Sequence, residues 1–331
     1  MQISVVVPVR NEESTIASLI DSLLAQTLQP SEIIITDGGS TDGTIEVIER
    51  LVANGAPIRL IRENRSLPGR SRNVGARNAR FDWLAFIDAG NVAEPNWLER
   101  LAQNVSNGSV DVVYGSYEPI IDTFFKECAT IAYVPPLIQI QHGSVRPRSI
   151  VSALMRRSVW ESVNGFPEHL RSAEDLLFMR EIERGGFRTK REPAAIVHWQ
   201  IQPTLWRTLK RFVEYSRNNI RAGLWREWQA TIFFRYGLLL ALCIPAIFLG
   251  WRWLLIPVAG SVVFLIARAV QSIRRNRIQY PASLVHNLAR LFWLMPIIAA
   301  IDAAAIAGSL KWLTTDTFRS KHTSVPNEAQ R

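Results

Sequence analysis

The sequence predicts an α/β domain with a mostly parallel sheet, followed by a C-terminal helical region that enters a membrane. Three observations predict it. Short β-branched runs alternate with helical patterns up to about residue 200. Carboxylates stand at or just beyond the ends of apolar runs at Asp37, Asp88 and Asp175. From about Ile232 the composition turns apolar, in runs at 236–250, 253–267 and 291–310.

Residues 3–7 are rich in β-branched side chains and stop at Pro8, the pattern of a buried strand that delivers its C-terminal end to a loop. Glu12, Glu13, Ser14 and Thr15 supply acidic and capping chemistry for a helix whose Ile16, Leu19, Ile20, Leu23 and Leu24 share one face. Strand 33–36, helix 45–52, strand 58–61, helix 73–79, strand 83–87, helix 95–104 and strand 111–114 continue the alternation. The stretch 118–148 is irregular and holds Phe124, Phe125, Tyr133, Pro135 and Pro136; it suits an interfacial segment or an ordinary buried insertion. Strand 150–155, helix 159–163, helix 174–183 closed by Gly185-Gly186, and strand 194–197 before His198 complete the domain. Right-handed crossovers put the ligand site beyond the C-terminal strand ends, the edge where Pro8, Asp37 and Asp88 fall.

The 331 residues carry a formal net charge of +9. Many basic residues sit beside apolar segments: Arg207, Lys210, Arg211, Arg217 and Arg221, then Arg235, Arg274, Arg275 and Arg277. That placement points to lipid headgroups and not to nucleic acid. Cys128 and Cys243 lie far apart without metal-ligand spacing, which excludes a disulfide framework and a zinc cluster. The opening residues lack a secretory pattern, so the first domain is expected in the cytosol.

The expected organisation is a domain over 1–200, a basic and aromatic interfacial connector over 201–230, membrane helices over 231–310 and a polar tail over 311–331. Within the membrane region a hairpin occupies about 232–270 and a third span about 288–310. Arginines flanking the hairpin, against a lone Arg252 in its turn, place the α/β domain on the cytoplasmic face of the inner membrane. A third span would put the tail outside. Asp302 inside that span must face another helix, an acceptor path or a structural partner.

Val7-Pro8-Val9-Arg10-Asn11-Glu12-Glu13, Asp37-Gly38-Gly39-Ser40-Thr41-Asp42-Gly43-Thr44, Asp88-Ala89-Gly90-Asn91 and Ser172-Ala173-Glu174-Asp175 together resemble glycosyltransferase family 2. The resemblance covers roughly the first two-thirds of the chain. It implies the GT-A nucleotide-sugar fold, a Rossmann-like arrangement, and an inverting transfer from an activated sugar. Composition and periodicity imply only an α/β domain attached to a membrane.

The resemblance assigns Pro8, Arg10 and Glu12 to nucleotide binding, although Asn11, Glu12 and Glu13 alone would serve simply to open a helix. Asp37 matches the first Asp of the family's Asp-Asp-Gly-Ser-x-Asp-Gly motif and would accept a base N–H; Gly38 stands in place of the second. Asp42 and Thr44 suit a helix cap as well as a ligand contact. Arg72, in the segment Gly69-Arg70-Ser71-Arg72-Asn73, would meet the pyrophosphate or base, or form a salt bridge at a helix start.

Asp88 occupies the place of the metal-binding Asp-x-Asp motif, whose second carboxylate is absent at Gly90. Mg²⁺ or Mn²⁺ would then rest on Asp88 with His198 and the diphosphate, or with the Asn91 amide. His198 equally suits plain hydrogen bonding. Asp175 is the candidate base and Glu174 shapes the site, roles that adjacent carboxylates can exchange; both also suit a first helical turn.

The expected activity is transfer of a sugar from a nucleotide diphosphate donor to a lipid-linked or membrane-proximal acceptor, in cell-surface glycan or glycolipid synthesis. Transfer to a polyprenyl phosphate is the enzymatic alternative. The losses at Gly38 and Gly90 raise another, a catalytically weak sugar-nucleotide-binding scaffold. A processive synthase is disfavoured, since Gln202-Pro203-Thr204-Leu205-Trp206 lacks the Arg of that Gln-x-x-Arg-Trp signature.

Overall fold

A computed structural model describes residues 1–322 apart from Asn107 and His142. The chain divides into two compact units, one of Met1–Ile120 with Pro135–Ile201, the other of Ile121–Val134 with the chain from Gln202 onward.

The strands of the first unit are β1 (Ile3–Val9), β2 (Glu32–Asp37), β3 (Ile58–Arg62), β4 (Trp83–Phe86), β5 (Asn91–Ala93), β6 (Val112–Ile120), β7 (Ile138–Ile140), β8 (Gly143–Val145), β9 (Ala153–Arg156) and β10 (Thr189–Gln200). Eight form one sheet in the order β3-β2-β1-β4-β9-β6-β10-β5, and β7 with β8 form a separate hairpin. The run β3-β2-β1-β4 and the pair β6-β10 are parallel; β9 and the edge strand β5 are antiparallel to their neighbours.

Alternate residues of one strand feed two cores, which is why the strands read as continuous apolar runs. Val5, Val7, Ile33 and Ile35 pack with Leu19, Ile20 and Leu23 on one face. Val6 and Ile34 pack with Phe86, Tyr114, Met155 and Phe178 on the other. The helices are α1 (Ile16–Leu24), α2 (Thr44–Ala53), α3 (Pro68–Asn78) and α4 (Trp97–Gln103), then α6 (Arg157–Ser162) and α7 (Glu174–Arg184), with α5 (Phe124–Tyr133) in the second unit.

α3 begins at Pro68, earlier than expected, because proline suits a first helical turn. Its Gly75 allows close packing on β1: a Cβ there would stand 2.5 Å from Val6 Cγ1. Gly75→Ala is expected to lower stability by about 1–3 kcal/mol through overpacking, read as a fall in Tm.

The stretch expected to be irregular contributes the end of β6, then α5, then the β7–β8 hairpin. Cys128 and Ile131 of α5 are buried with Ala269, Leu294, Ile297 and Ile298. The other helices of this unit are α8 (Leu205–Arg221), α9 (Trp225–Trp228), α10 (Ala230–Cys243), α11 (Ala246–Leu249), α12 (Leu255–Asn276) and α13 (Leu284–His322).

Among the described residues three helical segments are long and apolar enough to cross a membrane: Ala230–Leu249, Trp251–Asn276 and Leu284–Asp316. Gly250, at φ 82°, makes the break between the first two. Asp302 is buried within the second unit, ion-paired with Arg268 and 3.3 Å from the Tyr236 hydroxyl, so its partner is structural. The tail expected from residue 311 starts as a continuation of α13, and residues 323–331 lie outside the described part of the chain.

Candidate active site

The C-terminal edge of the sheet gathers the sequence-predicted residues of the first unit. β1 ends at Val9 beside the end of β2 at Asp37, and the two following loops are tied together. Asn11 takes a left-handed φ of 56°, which lets its amide donate to Ser40 Oγ at 2.9 Å while its Oδ1 accepts Thr41 N–H at 2.8 Å. Glu12 N–H donates to Thr44 Oγ1 at 2.8 Å. Pro8 is half-buried and Arg10 is exposed on this edge.

Asp37 is buried and accepts the amides of Gly39 and Ser40 at 3.0 and 3.1 Å and the Ser40 hydroxyl at 2.5 Å. Its first duty is therefore to shape the loop, with acceptor capacity left for a base N–H. Asp42 accepts both the hydroxyl and the amide of Thr44, at 2.5 and 3.2 Å, the capping reading of that pair.

Gly38 has a tertiary reason. A Cβ there would stand 2.9 Å from the Ser66 carbonyl oxygen and 3.4 Å from Ser71 Oγ. Restoring the family carboxylate by Gly38→Asp should therefore lower the Tm, at a cost of about 1–3 kcal/mol.

Arg72 is the centre of the site. Its guanidinium is buried, with Nη2 donating to Asp88 Oδ1 at 2.7 Å and Nη1 to Glu174 Oε1 at 2.6 Å. It also lies 5.4 Å from the ring centroid of Phe166, which stacks on Phe178 at 3.8 Å. Burial opposes its charge, but the carboxylates of Asp88, Glu174 and Asp175 more than offset this and leave it harder to deprotonate than an ordinary arginine. Of the two roles expected for Arg72, a nucleotide contact or a salt bridge at a helix start, the structure shows the ion pairs, one of them with a carboxylate 102 residues away.

Asn73 beside it is spent on structure. Its amide donates to Phe166 O and Glu168 Oε1, and its oxygen accepts Trp160 Nε1 and Phe166 N, all within 3.0 Å. This pins the 160–168 loop against α3. Gly69 lets the same loop close on α3: a Cβ there would stand 2.2 Å from the Pro167 carbonyl oxygen and 3.3 Å from Glu174 Cγ.

Glu174 and Asp175 open α7 after Ala173, which adopts a left-handed φ of 70°. Burial pushes the Glu174 carboxyl up to about 7, with Arg72 pulling it down and Asp175 adding to the rise. Burial also raises Asp175, against the pull of Arg72 and of the Leu176 amide that its Oδ1 accepts at 2.9 Å.

His198 lies on β10 opposite Val92 of β5, and its Nε2 is 3.2 Å from Glu94 Oε1. Asp88 instead faces Arg72, with about a third of its side chain exposed. Among the described residues no group of three or more His, Cys, Asp or Glu side chains is arranged to hold an ion. A Cβ at Gly90 would stand 3.6 Å from Glu12 Oε2, so a second carboxylate does reach the space beside the Asp88 segment. Asp88 and Glu12 are hard oxygen donors that suit Mg²⁺ or Mn²⁺ if the diphosphate and water complete the shell.

In an open α/β sheet the ligand crevice lies outside the C-terminal ends of the strands, which is where this acidic cluster stands. The chain matches the family described as Glycosyl transferase family group 2 over residues 83–301 and that described as Glycosyl transferase family 2 over residues 4–161. It belongs to glycosyltransferase family 2. The Bacillus subtilis glycosyltransferase EpsJ is 30% identical over 203 residues, 55% of this chain and 57% of that protein, so the chain spans little more than half of that relative's length.

Among solved structures, Staphylococcus aureus TarS 1–349 in complex with UDP-GlcNAc aligns with a TM-score of 0.51 at 18% identity, over 91% of each chain. Mannosyltransferase PcManGT from Pyrobaculum calidifontis, in complex with GDP-Man and Mn²⁺, aligns with a TM-score of 0.57 at 18% identity, over 95% of this chain and 87% of that one. At such identities the likeness carries the fold, and the fold is the expected GT-A.

Proposed function

We propose that the protein is a membrane-bound inverting glycosyltransferase that moves a sugar from a nucleotide diphosphate donor to a lipid-linked or membrane-proximal acceptor. The observation that carries this reading is the Arg72 bridge, which joins Asp88 at the end of β4 to the Glu174-Asp175 pair at the start of α7. One cluster thus unites a diphosphate-side carboxylate with a candidate base.

In the proposed reaction Asp175 takes the acceptor hydroxyl proton as that oxygen attacks the anomeric carbon. The bond from the anomeric carbon to the diphosphate oxygen breaks on the opposite face, and the nucleotide diphosphate leaves with the bonding electrons. Glu174, committed to Arg72, keeps the pair aligned. Pro8, Arg10, Glu12 and the loop shaped by Asp37 form the nucleotide side.

A divalent ion would supply charge neutralisation at the diphosphate, held by Asp88 with Glu12 beside it. His198 would join them by exchanging its bond to Glu94. EDTA is expected to lower turnover at least tenfold, with Mg²⁺ or Mn²⁺ restoring it. A rate unaffected by chelation would remove the ion from the proposal.

The close approach at Gly38 gives that departure from the family motif a packing reason, which favours an enzyme over a scaffold. The acceptor reading rests on the apolar segments and on α8, where Lys210 lies 5.1 Å over the exposed Trp206 ring. Its test is transfer of labelled sugar from a panel of nucleotide sugars in native membranes. The label should enter the fraction extracted by organic solvent; recovery only in water-soluble product would refute a lipid-linked acceptor. The proposed orientation keeps the first unit cytoplasmic, on the face where nucleotide sugars are made available.

A further inference from the structure

We infer that α13 lies along the membrane surface instead of crossing it, which leaves the α10–α12 hairpin as the element of the described chain that enters the bilayer. By length and composition α13 suits a third span. The argument against crossing comes from the helix beside it.

α8 runs alongside the second half of α13. Ser216 Oγ donates to Ala305 O at 2.6 Å and meets Ser309 Oγ at 3.2 Å. Glu214 pairs with Lys311, and Arg217 and Arg221 both grip Asp316, at 2.7 and 2.6 Å. Gly308 permits the close approach, since a Cβ there would stand 2.3 Å from Val213 O.

Sequence separation across these pairs stays between 89 and 99, so the two helices run in the same direction. The first residue of α8 must then fall beside the middle of α13. Leu205 fits this, packing against the cluster that holds Leu294, Ile297 and Ile298 of α13 with Cys128 and Ile131 of α5.

If α13 crossed the bilayer through its middle or second half, Arg207, Lys210, Arg211 and Glu214 would be carried into hydrocarbon, together with the backbone by which the chain arrives at Gln202. If it crossed through its first half, the same would befall Glu127 of α5, which is bonded to His286 and Arg290 of α13. Neither a helix of that charge nor an irregular lipid-exposed connection is tolerated there.

Laid in the interface, the same helices are satisfied. The charges of α8 reach headgroups and water, and the exposed residues Leu288, Phe292, Ala303, Ala307 and Leu310 form a stripe along α13 that meets the acyl chains. At 39 residues α13 is about 58 Å long, close to twice the ~30 Å hydrocarbon thickness, which suits a helix lying flat.

The hairpin supports the same arrangement. Asp302, midway along α13, meets Arg268 and Tyr236, which lie near the base of the hairpin arms. A spanning α13 would continue beside α12 and cover its outer half. Val258 and Val263 are instead 60% and 65% exposed, and Leu240 and Phe248 on the facing arm are 70% and 83% exposed.

The test uses the full-length protein with Cys243→Ala, in sealed vesicles of known orientation. Thr314→Cys, near the far end of α13, and Ser106→Cys, in the first unit, are each treated with a membrane-impermeant maleimide. Both should react from the same side; reaction of Thr314→Cys only from the opposite side would overturn the inference. As a second readout, nitroxides at Leu288→Cys, Ala303→Cys, Ala307→Cys and Leu310→Cys should report one shallow depth from their relative access to oxygen and a nickel chelate. A depth profile that peaks near Ala303 and falls toward both ends would equally overturn it.

Discussion

Asp175→Asn is expected to lower kcat by about 10²–10⁴-fold while donor affinity stays within a fewfold of the parent. Asparagine keeps the shape of the side chain and can still accept the Leu176 amide, so α7 should start as before. It cannot take a proton. Glu174 does not replace it, because one of its oxygens is bonded to Arg72 in a buried position. The pH profile carries the same signature. Burial raises Asp175 above the ordinary carboxylate range, so its ionised fraction, and with it kcat, should decline as pH falls through a value above the unperturbed ~4. An acidic limb lying below 4, or an Asn variant that keeps most of its turnover, would assign the proton elsewhere and favour transfer to a phosphate oxygen.

Arg72→Met is expected to have the largest effect on stability. It removes the cation between Asp88 and Glu174 and leaves buried carboxylate unpaired, at a cost of about 3–5 kcal/mol. The loss should depend on pH in a defined direction. Glu174 titrates at about 7 in the fold against 4.5 as the ordinary value, so between those limits the folded chain binds more protons than the unfolded one. Its contribution to stability is thus greatest below 4.5 and declines as pH rises to about 7.

Without Arg72 the pull that lowers Glu174 is gone, and its pKa rises further. The gap between variant and parent should be wide at pH 8 and narrower at pH 5, where a neutral Glu174 no longer needs a cation. Thermal unfolding of the full-length protein in detergent at the two pH values measures this. An equal loss at both would mean that Arg72 acts through packing on Phe166 and not through charge.

Much of the α/β unit was legible in the sequence because its strands are covered on both faces. Val5 and Val7 feed one core and Val6 the other, so the run is apolar throughout, and the buried stripe of α1 has the period of a helix. The acidic residues were legible as strand-end and helix-start positions. Their connection was not, since the bond from Arg72 to Glu174 joins residues 102 apart and has no local pattern.

Gly38 read as a missing carboxylate, while its reason is the carbonyl of Ser66 arriving from another loop. β5 has only three residues, too few for a period. α5 lay hidden in a stretch of aromatic and proline residues because its partners, Leu294 and Ile297, belong to the far end of the chain. α13 has the hydropathy of a span, and the polar helix packed along it points to another placement.

The most direct test of the proposed activity is nucleotide release by detergent-purified full-length protein, with UDP-, GDP- and dTDP-sugars as donors and native membrane lipids as acceptor, compared with Asp175→Asn. The proposal predicts release from one class of donor that depends on both the lipid and Asp175. Binding of a donor with no release from any of them under any ion condition would contradict it and leave a sugar-nucleotide-binding subunit in its place.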